Sequence, residues 1–65
     1  MIKLTETRSG PIYIAADQVA KIITPSPATQ WHGTRAIIKM KDGSMHEVEE
    51  TADKVAAAVE EEMMG

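Results

Sequence analysis

Apolar and polar positions alternate in steps of two over most of this chain, and switch to a helical spacing only near its end. Across residues 1–6, Ile2 and Leu4 fall on one side and Lys3 and Thr5 on the other, the pattern of a half-buried strand. Arg8-Ser9-Gly10 reads as a turn, and Pro11 opens a second strand where no ladder donor is lost. In that strand Ile12 and Ile14 point one way and Tyr13 the other. Residues 15–18 suit a single turn, and 19–24 return as a third strand. Both parities of the third strand are apolar, Val19 and Ile23 against Ala20 and Ile22. That pattern predicts a central strand, or one covered by another subunit. Two prolines and several small polar residues then predict an irregular loop over 25–33.

The clearest signal lies in residues 36–64. Asp42-Gly43 marks a reverse turn, because glycine adopts positive φ without steric cost. A two-residue loop would put Glu47 and Glu49 on the face of Ile38. A three-residue loop, 41–43 or 42–44, instead groups Val48 with Ala36, Ile38 and Met40 and exposes Lys39 with Glu47. A slip of one residue inverts every side chain, so burial selects the three-residue loop with Gly43 at positive φ. Thr51 then caps a helix, and Asp53 in the first turn meets the positive end of its dipole. Lys54 stands where a capping box would need Glu. Ala52, Val55, Ala56, Val59 and Met63 form the predicted apolar stripe. Glu60, Glu61 and Glu62 crowd the last turn against the dipole, which reads as a solvated end.

The fold class is therefore α+β: one domain over 1–65, with a small antiparallel sheet of about five strands (β-β-β-loop-β-β) and one C-terminal helix. Size changes the picture. A chain of 65 residues buries only about 60% of its unfolded surface. Its apolar fraction is 43%, but nine of those residues are Ala and Phe is absent. Without cysteine it has neither a disulfide framework nor a Cys/His zinc signature. Such a core leans on self-association, so a homo-oligomer is expected, a dimer or a larger ring, together with an unidentified protein partner. A net charge of −3 argues against nucleic acid as the partner. No apolar run long enough to span a bilayer occurs, and charges interrupt the N-terminus, so a cytoplasmic protein without membrane insertion is expected.

Candidate chemistry is sparse. Ser9, Ser26 and Ser44 lie at turns, outside any nucleophile context, and the four glycines are too scattered to cradle a phosphate. Glu49 and Glu50 point to opposite faces of a strand and cannot share a proton as a dyad would. His32 and His46 match no compact metal site. The expectation is no catalytic residue, no metal and no cofactor. Trp31, the sole tryptophan, is either an interface residue or a plug for an open sheet end. Trp31, His32, Tyr13, Ile23 and Met63 make up the candidate interface. Lys3, Lys39 and Lys41 make up a candidate basic face, interleaved with Glu47 and Glu49.

The order of residues resembles a known family. Met1-Ile2-x-Leu4-Thr5, Ile12-Tyr13-Ile14 before an acidic turn, Val19…Ile22, Thr24-Pro25, and a strand-Asp-Gly-strand unit ending in Val48-Glu49-Glu50-Thr51-x-x-Lys54-Val55 look like the small bacterial flagellar FlbD-like proteins. Residues 27–34 stand as an extra segment relative to that pattern. The strand-and-helix order is also loosely similar to LytTR-type DNA-binding domains, without their basic reading loops. The FlbD-like resemblance implies a flagellar accessory or regulatory role. The expected function is thus a non-enzymatic interaction or oligomerisation module. The alternatives are a nucleic-acid-binding regulator and a phage or prophage accessory protein.

Overall fold

In the computed structural model, which describes residues 1–30 and 33–64, five strands form one antiparallel sheet with a helix against one face. The strands are β1 (Ile2–Glu6), β2 (Gly10–Ile14), β3 (Val19–Ile23), β4 (Ala36–Met40) and β5 (Met45–Val48). Their order across the sheet is β2-β1-β5-β4-β3. The first strand and the last are therefore neighbours, joined where Glu6 pairs with Val48. A short helix, α1 (Pro27–Gln30), precedes β4, and the longer α2 (Ala52–Met64) follows β5.

The β4–β5 hairpin takes the register that burial demanded. Ala36 faces Val48 and Ile38 faces His46, so Met40 closes on Ser44 around a loop of residues 41–43. Gly43 lies at φ +93°, the region only glycine enters freely. Asp42 completes the turn: its Oδ1 accepts hydrogen bonds from the Ser44 amide (2.9 Å) and hydroxyl (2.6 Å). Ala36, Ile38 and Val48 are fully buried.

The third strand is not central. It forms one edge of the sheet, paired only with β4. Its two-sided apolarity comes from a bulge: Val19 faces Met40 and Lys21 faces Lys39, which leaves Ala20 without a partner. The extra residue shifts the alternation by one, so Val19 and Ile22 both pack on the core. Ile23 turns to the far face, opposite Ile37.

The connection from β2 to β3 dictates the shape of the sheet. Ile14 sits beside Ile2 at one edge, and Val19 sits beside Met40 at the other. A flat five-stranded sheet would put those edges about 19 Å apart. The register adds an offset of about eight residues along the strands, or roughly 27 Å. Five backbone steps span at most about 18 Å, and three of the intervening residues, Ala16–Gln18, are wound into a 3₁₀ turn. The sheet therefore coils until its edges approach, and α2 lies in the concave side.

The core gathers Ile2, Leu4, Ile14, Ala36, Ile38, Met40 and Val48 from the sheet, Ala16 from the turn and Val55 from α2. At the start of α2, the Lys54 amide donates to Thr51 Oγ1 at 3.3 Å, the predicted cap. The apolar stripe differs in detail. Ala58, not Ala56, faces inward beside Ala52 and Val59, and Met63 is 62% exposed. The final turn passes beyond the sheet, where Glu62 meets the Met1 ammonium at 2.7 Å. Part of the segment read as an irregular loop is helical. Pro27 opens α1, because its fixed φ and missing N–H suit a first helical turn, and the Gln30 amide donates to the Ser26 carbonyl at 3.1 Å. Trp31 and His32 lie outside the described residues.

Candidate interaction surface

The convex face of the sheet carries the outward residues of every strand. On β4, Lys39 stands between Met45 of β5 and Lys21 of β3, each directly opposite it. One row along, Ile37 stands between Glu47 and Ile23 in the same way. Lys21, Lys39, Met45 and Glu47 are exposed, and Ile23 and Ile37 are half-buried. Lys41, just past the end of β4, is exposed as well. Its amide is held by the Gln18 carbonyl at 2.8 Å, which ties the turn to the start of β3.

The three lysines Lys21, Lys39 and Lys41 thus share one edge of the molecule. Two of them are directly opposed across the β3–β4 ladder, an arrangement that destabilises a sheet. Neither ion pair among the described residues involves them: one joins Met1 to Glu62, the other His46 to Glu6. Lys3 does not belong to this group. It faces Tyr13 on the β1–β2 ladder, two strands from Lys39 and, by register, about 20 Å away along the strands. Lys21, which sequence spacing left out, takes its place because the bulge at Ala20 turns it outward.

The residues of the candidate interface are dispersed. Tyr13 is 63% exposed on β2, one edge strand, and Ile23 lies on β3, the other. Met63 is exposed on the last turn of α2. There it joins Met64 and the acidic run Glu60, Glu61 and Glu62, all exposed, with no basic residue in that turn.

Polar side chains elsewhere hold the chain together. The Glu50 carboxylate accepts the Thr5 amide with both oxygens, at 2.9 and 3.0 Å. It does what the next carbonyl of β5 would do had the chain not turned away toward α2. Glu49, beside it, is exposed, and both residues line a cleft shared with Arg35 and Lys54. His46 Nδ1 lies 3.0 Å from Glu6 Oε2. The hydrogen bond from His46, aided by one from Ser9, holds the Glu6 carboxyl below its ordinary value. Bonds from the Ser44 hydroxyl and amide lower Asp42 in the same way. Thr34 is buried, with Oγ1 3.1 Å from Thr7 Oγ1 and 3.3 Å from Glu47 Oε1, which anchors the segment before β4 to β1 and β5.

Clefts of about 180 and 350 Å³ open beside Arg8 and beside Arg35. Among the described residues no three His, Asp or Glu side chains gather into a metal-binding group, and no helix is long and apolar enough to cross a membrane. No family model, curated protein or solved structure matches the chain.

Proposed function

We propose that this chain is a non-enzymatic association module, working by packing surfaces together and not by enclosing a reactive pocket. The observation that supports this reading is the convex sheet face. It presents Met45 at 59% exposure and the half-buried pair Ile23 and Ile37 beside lysines that lack ion-pair partners among the described residues. Exposed apolar area rimmed by charge is the composition of a surface that meets another protein. The small core adds weight. Apart from Met40, its largest members are Ile and Leu, and one helix covers one side of the sheet. A domain of this size gains most of its additional burial by association. A flagellar accessory or regulatory role is the process we attach to the module, and the resemblance to FlbD-like proteins is its sole support.

Sedimentation equilibrium from about 1 to 500 μM tests the reading, since weak to moderate interfaces dissociate in that range. The expected result is a mean mass that rises with concentration above that of the protomer. A constant protomer mass across the range, with the fold intact by circular dichroism, would refute self-association.

A further inference from the structure

We infer that the occupant of the lysine edge is the acidic end of α2 from a second copy of this chain, in a two-fold pair with each copy giving one of each surface. The inference rests on the association reading and specifies where the contact lies and what holds it.

The protomer carries two local imbalances of opposite sign. On the sheet, Lys21 and Lys39 face each other across an antiparallel ladder, which sets their Cβ atoms about 5 Å apart. Lys41 follows on the same edge, and none of the three has an ion-pair partner among the described residues. On the helix, Glu60 and Glu61 stand in a last turn whose free carbonyls already carry partial negative charge, with no basic residue to offset it. Each arrangement costs the isolated protomer stability. Each is relieved by the other surface.

Within one copy the Glu turn is already engaged elsewhere. Glu62 reaches the Met1 ammonium at the start of β1. Lys21 and Lys39 lie on the sheet face opposite the one that packs against α2, and neither ion pair among the described residues joins them to Glu60 or Glu61, which leaves the relief to a second molecule. Apolar surfaces match as well. Met45 lies directly beside Lys39, and Met63 and Met64 flank the glutamates, 59%, 62% and 82% exposed respectively. Methionine adapts to an uneven counterpart, so the three side chains form a pliable apolar centre within a ring of opposite charges. Because one chain carries both surfaces, a two-fold axis makes both contacts at once and closes the assembly at two copies.

Charge reversal with complementation tests this. The variant Lys21→Glu/Lys39→Glu keeps a like-charge cross-strand pair, so the protomer's own energetics are matched to the wild type. The variant Glu60→Lys/Glu61→Lys favours the helix terminus and should melt no lower than the wild type. Each alone should raise the dissociation constant for self-association at least about tenfold, since several ion pairs become repulsive together. Mixed in equal amounts, the two variants should recover association, because each then offers the surface the other needs. The wild-type interaction should also weaken between 0.05 and 0.5 M salt. If the wild type associates but neither variant changes it, this surface is wrong and the association reading stands. If the wild type stays a protomer throughout, both fail. If the lysine edge instead retains DNA or RNA, with retention lost in Lys21→Glu/Lys39→Glu and no effect of either variant on self-association, the inference is overturned in favour of a nucleic-acid surface.

Discussion

Replacing Val55 by Ala should separate α2 from the sheet more effectively than any other single truncation in that helix. Val55 is the one α2 residue that is fully buried, at 0% exposure, and it sits among the core residues of the concave side. The change removes two methyl-sized groups, worth about 1.6 kcal/mol of transfer free energy at roughly 0.8 kcal/mol each. The cavity left behind adds to this, because the coiled sheet can follow the helix inward only partly, giving a total of about 2–3 kcal/mol. For 65 residues the whole stability is on the order of 3–10 kcal/mol, so the loss is a large share of it. Urea unfolding followed by far-ultraviolet circular dichroism measures the effect, with Ala57→Gly as a companion. Ala57 is exposed, and its change reports helix propensity alone, costing about 1 kcal/mol. A Val55→Ala cost below about 0.5 kcal/mol, or one no larger than that of Ala57→Gly, would show that α2 is not held by the packing described.

Other changes have outcomes as definite. Gly43→Ala should cost about 1–2 kcal/mol because alanine resists φ +93°, and Gly43→Asn less; thermal melts that rank Ala above Asn would contradict the turn geometry. Glu50→Ala should cost about 1–3 kcal/mol by orphaning the Thr5 amide, and hydrogen exchange at Thr5 should quicken. Unchanged exchange there would mean that the carboxylate is not its acceptor. Acid should destabilise the fold through Glu6 and Asp42, whose folded pKa values lie below their ordinary 4.5 and 3.8. Their contribution is complete above those ordinary values and is lost as pH falls through the lowered ones. His46→Ala should shrink the acid loss, and a stability profile identical to the wild type between pH 6 and 2.5 would count against the Glu6–His46 contact.

The parts of the fold legible in the sequence are those fixed by neighbours along the chain. The β4–β5 hairpin, the three-residue length of its loop and the Thr51 cap each depend on a few adjacent residues, while the choice between 41–43 and 42–44 for the loop is made by the register. Misreadings arise where a local irregularity resets the phase. One extra residue, Ala20, makes an edge strand look two-sided and hides the partnership of Lys21 with Lys39. In α2, alanines at both 56 and 58 fit a helical stripe, so only the direction of approach to the sheet decides which turns inward. The contacts of Glu50 with Thr5 and of Glu6 with His46 depend on β1 lying beside β5, a pairing between distant segments that no local pattern encodes. The lysine edge follows the same logic, since it becomes visible only when the ladder is known.

That neighbouring of β1 and β5 also sets a constraint on biosynthesis. A nascent chain emerging from the ribosome can form the β1–β2 ladder early, but the second flank of β1 stays open until β5, Met45–Val48, has been made. During that interval the outer rim of β1 is an unpaired template for any extended segment nearby. The last strand of the sheet, β5, is the one that seals it.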